Sequence, residues 1–413
     1  MNQSPKSQQP HFVFLRLMPP VVIWGGLEKL MLEWFERIDT SQCRATLIVS
    51  NQGGDIYRNH IKTKKLDIDV IEFPFRKDFR YTQGFWGRFR KVTDLLKPLK
   101  PTKVIFFQGS FTDFDLSHVL AANLLAGGEV FMHENLGAPE PSAKSSKKYF
   151  GVIPGVGLWW YAEKYFNPWR AKFCKKIYVV SAEIRQRMID LWNYPMDKLE
   201  VLYHGVDTAR FHPSESSRKK LRSVMGISES ETVIIVAARL SQEKCIDRAI
   251  DAFDALITRF PNLQLLIAGT GPYEERLKTL AQQKASSARI KFLGQVNNVN
   301  ELYQMSDIYV LSSDNEGLSL AFLEALGSGL VCVATRCTGT TEVIDDGRNG
   351  FLVEKSLDGV RSGLQKALSL SVQERHAMGH EAVSDVAQRF EIHRNVRNGL
   401  NKMGIPLKPV KDC

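Results

Sequence analysis

Residues 308–325 read IYVLSSDNEGLSLAFLEA, and this stretch decides the fold. The apolar run Ile308–Ser313 has the length and composition of a buried strand. The residues after it carry two glutamates eight apart, Glu316 and Glu324. The first falls in a loop and the second about two turns into a helix. Ser319 stands where a side-chain oxygen caps such a helix. The amides that open a helix have no partner within it, so they suit a phosphate. Carboxylates on either side suit sugar and ribose hydroxyls. Taken alone, a solvated Glu316 and an ordinary helical Glu324 fit equally well.

The strand–loop–helix unit repeats along the chain. In the first half, His11–Leu17, Ala45–Ser50, Ile68–Phe75, Lys103–Ser110, Val130–Asn135 and Lys176–Ala182 read as strands. In the second half, Leu199–His204, Thr232–Leu240, Gln264–Gly269, Ile290–Gly294, Ile308–Ser313, Val331–Thr335 and Phe351–Glu354 do so. Helical spacing lies between them, as in Leu27–Arg37, Leu116–Ala126, Asp247–Arg259 and Tyr273–Lys284. Continuous apolar strands alternating with amphipathic helices predict an α/β chain with parallel sheets covered on both faces. The chain of 413 residues has room for two such Rossmann-like, doubly wound domains facing each other across a cleft. We place an N-terminal domain over 1–198 and a C-terminal domain over 199–385, with a helix at about 386–413 packing back on the first. Ligands of such sheets bind beyond the carboxyl ends of the strands.

Composition excludes other classes. Apolar residues make up 44% and charged residues 24%, ordinary globular values that argue against a disordered chain. Six scattered cysteines, with no CxxC, predict neither a disulfide framework nor a structural zinc site. The opening MNQSPKSQQP lacks the apolar core of a signal peptide. The apolar stretch 150–162 is too short to span a bilayer. We therefore expect a cytoplasmic protein. Its net charge of +10 is uneven. Residues 1–200 hold 29 basic and 20 acidic side chains, net +9, which leaves 26 and 25, net +1, for the rest. The basic half predicts an anionic partner.

Loops after strands supply further candidates. Thr232–Ala238 is followed by Arg239-Leu240-Ser241-Gln242-Glu243-Lys244, whose two cations could neutralise a diphosphate. Gly269-Thr270-Gly271-Pro272 would let a ligand approach the backbone. Gly25-Gly26 opens the helix near Leu27 and suits an anion. Read singly, each of these loops is an ordinary turn or a pair of surface cations. Asp113-Phe114-Asp115 could mimic a metal-binding motif, but Asp115 serves equally as a helix cap.

As a set, His204-Gly205-Val206-Asp207, Arg239 with Lys244, Gly269-x-Gly271-Pro272, Glu316-x7-Glu324 and Gly25-Gly26-x-Glu28 resemble the GT-B, family 4 retaining glycosyltransferases. The resemblance covers nearly the whole chain and is densest from 201 to 355. It implies that the second domain holds a nucleotide sugar and the first an acceptor. It implies Glu324 on the ribose, Glu316 on the donor sugar, Arg239 and Lys244 on the diphosphate, and the backbone of Leu318, Ser319 and Leu320 assisting. Gly25, Gly26, Gly269 and Gly271 would approach the donor as backbone. His133 stands where the family carries its active-site histidine. Trp24, Glu134 and Asn135 are acceptor-side candidates. One departure is Thr338-Gly339-Thr340-Thr341-Glu342, where Thr340 replaces a family glycine and puts the donor contact there in doubt.

The implied reaction moves a hexosyl unit to a hydroxyl of a glycan, lipid-linked or small-molecule acceptor, with retention. It uses no cofactor and no metal. A UDP-sugar is the favoured donor and GDP-mannose the rival. A same-fold epimerase or phosphorylase, or an inactive paralogue acting as a membrane scaffold, stays open. Two segments, 73–103 and 144–176, are both basic and aromatic, and Phe85–Leu96 has an amphipathic pattern. They predict peripheral contact with an anionic membrane surface. No nucleic-acid module is present.

Overall fold

A computed structural model describes residues 9–16, 26–50, 54–73, 84–108, 116–134, 148–149, 153–154 and 168–409. The chain divides into two compact units, Met1–Tyr203 with Val396–Cys413, and His204–Asn395.

The first unit holds a seven-stranded sheet of β1 (His11–Arg16), β2 (Arg44–Ser50), β3 (Asp69–Phe73), β4 (Lys103–Gln108), β5 (Val130–Glu134), β8 (Lys176–Val179) and β9 (Leu199–Val201). Two-residue strands β6 (Lys148–Tyr149) and β7 (Ile153–Pro154) form a separate antiparallel pair. The order in the large sheet is β3-β2-β1-β4-β5-β8-β9, and every pairing is parallel. Helices Gly26–Arg37 and Leu116–Leu125 are among those that connect its strands. The apolar runs of the inner strands β1, β4 and β5 are buried but for one half-buried end residue each in β1 and β4, as parallel pairing with two covered faces requires, while the outer strands β3 and β9 are partly exposed.

The second unit repeats the plan with β10 (Thr232–Ala237), β11 (Leu263–Ala268), β12 (Ile290–Gly294), β13 (Ile308–Leu311), β14 (Val331–Thr335) and β15 (Phe351–Val353). Their order is β12-β11-β10-β13-β14-β15, again all parallel. The order reverses between β10 and β13. The loops leaving those two strands therefore diverge and frame a crevice, the usual ligand position in such sheets.

Two expected boundaries are corrected. The sequence pattern places Leu199–His204 with the second half, yet Leu199–Val201 closes the first sheet, with Ile177 opposite Leu199 and Val179 opposite Val201. The Leu202 amide continues the ladder to the Val179 carbonyl at 2.8 Å. An apolar pattern announces a strand but not its neighbour. The returning segment is also shorter than 386–413, because residues to Asn395 belong to the second unit. Val206 and Glu391 form a parallel bridge there, and the Val206 amide bonds the Phe390 carbonyl at 2.7 Å. From Val396 onward the chain joins the first unit. Gly399 lies against Trp34 and Leu202, where a methyl group would sit 2.7 Å from a Leu202 carbon.

One buried ionic cluster anchors the second unit. Arg222 is 1% exposed and Asp307 precedes β13. The Arg222 guanidinium donates to Asp307 at 2.7 Å, to the Met305 carbonyl at 3.0 Å, and to the Ser228 and Glu231 carbonyls at 2.9 Å each. Arg218 donates to the other Asp307 oxygen at 2.7 Å, and the Val233 amide of β10 also donates to Asp307 at 2.7 Å. The cluster ties the starts of β10 and β13 together, and the crevice lies at their other ends.

Candidate functional site

The loop after β10 carries Arg239 and Lys244, and the loop after β13 carries Glu316. The strand reversal brings these distant segments into contact. Lys244 Nζ lies 2.6 Å from Glu316 Oε1, and Ser313 Oγ donates to the same oxygen at 2.7 Å. Glu316 is largely buried, so its charge needs this cation. Arg239 donates to Glu243 at 2.7 Å, and Ser241 Oγ donates to the same Glu243 oxygen at 2.7 Å. Burial acts to raise the Glu243 carboxyl, but the bonds from Ser241 and Arg239 outweigh it and hold the group below its ordinary value. The two predicted diphosphate cations thus each face an internal carboxylate.

Beyond Glu316 the chain turns into the helix Leu320–Gly327. Ser319 caps it, its Oγ accepting from the Phe322 amide at 3.4 Å. The first-turn amides ahead of Phe322 have no intrahelical acceptor and carry the positive end of the helix dipole. Glu324 is buried on this helix, near enough to help raise the Tyr303 phenol after desolvation, the larger cause.

His204 sets the geometry of that turn. Its Nδ1 lies 3.2 Å from the Leu318 carbonyl oxygen, which can only accept, so Nδ1 carries the hydrogen. Across a trans peptide the next N–H points the opposite way, so this bond aims the Ser319 amide. Burial lowers the His204 pKa from 6.5 to about 4, against a smaller upward push from the Leu318 bond. The unfolded chain therefore takes up a proton first as pH falls. Stability from this group is complete above about pH 6.5 and is lost as pH falls towards 4, on the order of 3 kcal/mol in all. Replacing His204 with Gln is expected to flatten the decline of melting temperature between pH 6.5 and 4.5. An unchanged slope would assign that decline to other groups.

Glycines bring backbones together here. Gly269 has φ +129°, and a Cβ on it would lie 1.9 Å from the Ala238 carbonyl oxygen. Leu240 and residues 270–273 then exchange two backbone bonds, from the Leu240 amide to Thr270 and from the Tyr273 amide to Leu240, each 2.9 Å. Gly339, with φ +87°, stands under the glutamate loop, where a Cβ would lie 1.9 Å from the Gly317 carbonyl oxygen. Both the left-handed backbone and the clash oppose a side chain. Gly339→Ala is expected to lower activity by about a hundredfold, because the Glu316 loop must shift. Steady-state kinetics on folded protein measures this.

Thr340, the departure from the glycine pattern, turns its hydroxyl into its own loop. Its Oγ1 bonds the Thr335 carbonyl at 2.7 Å and the Cys337 carbonyl at 2.9 Å, and accepts from the Cys337 amide at 2.9 Å. Cys337 and Thr335 in turn bond the Ser313 carbonyl at 3.0 and 2.7 Å. These residues support the Glu316 loop from below. Only the position of Thr340 was visible in the sequence.

The first-unit candidates lie elsewhere in the chain. His133 is in β5 itself, buried and stacked on Phe107 with ring centres 5.4 Å apart, and edge-on to Trp34 at 5.9 Å. Glu134 ends β5, is fully buried and stands opposite Gln108 of β4. Gly26 opens the helix Gly26–Arg37. Trp24, Gly25, Asn135, Asp113 and Asp115 lie outside the described residues. Among the described residues no helix is long and apolar enough to cross a membrane.

Two parallel Rossmann-like sheets, one bearing an Arg–Lys loop opposite a Glu-x7-Glu helix, define the GT-B class. Comparison with known proteins agrees. The family described as "Glycosyl transferases group 1" matches residues 217–384, and "Glycosyltransferase Family 4" matches residues 24–210. The chain belongs to the GT-B, family 4-like glycosyltransferases. The putative glycosyltransferase EpsD of Bacillus subtilis (strain 168) is 36% identical over 151 residues, 36% of this chain and 40% of that protein. A GDP-mannose-dependent alpha-(1-6)-phosphatidylinositol monomannoside mannosyltransferase of Mycobacterium tuberculosis (strain CDC 1551 / Oshkosh) is 30% identical over 199 residues, 46% of this chain and 51% of that one. Anabaena Alr3699/HepE, solved in complex with UDP and glucose, has a TM-score of 0.73 at 18% identity, covering 96% of this chain and all of that one, a likeness of fold. The chain spans about half or less of the length of the curated relatives it matches.

Proposed function

We propose that this chain is a retaining hexosyltransferase. It moves a sugar from a nucleotide-diphosphate donor, a UDP-sugar by preference, to a hydroxyl of a glycan, lipid-linked or small-molecule acceptor. The observation that carries the reading is the Lys244–Glu316 contact of 2.6 Å beside the Ser319-capped helix. In the reaction the bond from the anomeric carbon to the diphosphate oxygen breaks. Positive charge builds on the sugar and negative charge on the leaving diphosphate. Arg239, Lys244 and the helix amides meet that negative charge with groups already in place, which lowers the barrier. The acceptor oxygen then bonds the same face of the anomeric carbon, and its proton passes to the leaving phosphate. Glu316 holds the sugar hydroxyls and Glu324 the ribose. Two cations on one loop supply the neutralisation that a metal ion gives in other transferases, so no metal or cofactor is called for.

The test screens UDP-glucose and GDP-mannose by thermal shift, then follows release of the nucleotide diphosphate in EDTA. One stabilising donor, released slowly without metal, supports the reading. The Anabaena and Mycobacterium proteins motivate these two donors. No stabilisation by any nucleotide sugar rejects the enzyme and favours a scaffold.

We further propose that the first unit meets an anionic membrane at the cytoplasmic face. Trp86 on the helix Phe85–Leu96 is 72% exposed, edge-on to Phe85 and Phe89, with Arg90 and Lys91 exposed beside it. Trp169 is 56% exposed, with Lys172 Nζ 4.7 Å from its ring centre. Aromatic rings settle at the lipid interface, and each nearby cation adds about 1 kcal/mol. Co-sedimentation with phosphatidylglycerol vesicles is expected at low salt. Trp86→Ser with Arg90→Glu should cut it at least fivefold, and binding that ignores both changes removes this helix from the contact.

A further inference from the structure

The Lys244 and Glu316 loops are joined by more than their ion pair. The Asp314 amide donates to the Glu243 carbonyl at 2.9 Å, and Ser312 Oγ donates to the Lys244 carbonyl at 3.0 Å. Arg248, in the first turn of the helix Ile246–Leu256, spans the same gap. Its Nη1 donates to the Ser312 carbonyl at 3.2 Å and to Asp314 Oδ1 at 2.6 Å. Lys244 lies four residues before Arg248, and Glu316 lies two after Asp314. Cys245, between Lys244 and the helix, sits in the left-handed region at φ +46°, a conformation that neighbouring contacts must maintain.

We propose that Arg248 is a positioning residue for the transfer reaction. It sets the spacing of Lys244 and Glu316 by holding their loops together through Asp314. This rests on the reading of the second unit as the donor site. Lys244 must meet the diphosphate while Glu316 meets the sugar, so their separation has to match the donor across its breaking bond. The Arg248–Asp314 pair is partly exposed, at 22% and 52%, and such pairs add little to stability. Both residues also border a cavity of about 450 Å³, so truncation widens existing space rather than emptying a packed core. What the pair contributes is geometry, and a misplacement of about 1 Å costs up to a hundredfold in rate.

The test is a double-mutant cycle on the full chain, using whichever of UDP-glucose and GDP-mannose the parent protein cleaves. Arg248→Ala and Asp314→Ala are each expected to lower kcat about tenfold or more. The KM, the Kd of the matching nucleoside diphosphate and the melting temperature should hold, the first two within about threefold. The double variant is expected to be no worse than either single one, and Arg248→Lys to restore part of kcat. A kcat within twofold of the parent in Arg248→Ala overturns the proposal. So do additive losses, or a loss that falls equally on nucleotide binding and melting temperature. A parent protein that releases nucleotide diphosphate from no donor instead overturns the donor-site reading, and this proposal with it.

Discussion

Lys244→Ala is expected to lower donor turnover by about a thousandfold if the proposed donor site holds. A cation about 4 Å from a phosphate oxygen near a protein surface interacts with it by about 4 kcal/mol, close to three powers of ten in rate. The loss has a second part. Lys244 Nζ is 2.6 Å from Glu316 Oε1, and without it that buried carboxylate keeps Ser313 as its hydrogen-bond donor while facing an incoming diphosphate. Glu316→Gln separates the two effects. It keeps the shape, removes the like charge and would weaken the proposed sugar contact, so it is expected to lower turnover about a hundredfold with little change in nucleotide affinity. Steady-state release of nucleotide diphosphate at saturating donor measures both. A loss below tenfold for Lys244→Ala would separate Lys244 from the chemistry.

Asp307→Ala has the largest expected effect on stability. It removes the nearer of two counter-charges of Arg222, which is 1% exposed, leaving Glu229 at 3.9 Å, and it takes away the acceptor of the Val233 amide at the head of β10. Breaking a buried pair from one side costs about 3–5 kcal/mol, because the surviving charge has no solvent to turn to. For a unit of this size that corresponds to a melting temperature lower by about 10 °C. Asp307→Asn keeps an acceptor in place and is expected to lose about half as much. Calorimetry on the full chain, read at the transition of the second unit, decides it. A fall under 3 °C means that the Arg222 carbonyl bonds carry the cluster without Asp307.

Much of this architecture was legible because parallel strands are buried on both faces and so read as continuous apolar runs. Thr232–Ala237, Val331–Thr335 and Lys103–Gln108 all stand where such runs stand in the sequence. Lys244, Glu316 and Ser319 were legible for a related reason. Loops after strands are where such sheets bind ligands, and charged or capping residues there are few. Arg248, Ser312 and Ser313 were not. Each is an ordinary residue whose role lies in a bond to another loop, and periodicity says nothing about bonds between loops. Leu199–Val201 was legible as a strand but not as the last strand of the first sheet. Thr340 was legible as a departure from pattern, while the direction of its hydroxyl needed coordinates.

The return of the chain to the first unit sets an order of events during synthesis. Residues 396–409 close that unit: Gly399 lies on Trp34 and Leu202, Lys402 pairs with Glu200, Lys103 Nζ donates to the Met403 carbonyl, and the Lys408 amide donates to the Arg37 carbonyl. All of these partners leave the ribosome long before residue 396 does. At about 5–20 residues per second, the first sheet waits roughly ten to forty seconds for its last piece to be made. The second unit, continuous from His204 to Asn395, is complete before the first. In this chain the half begun later is the half whose residues are all made first.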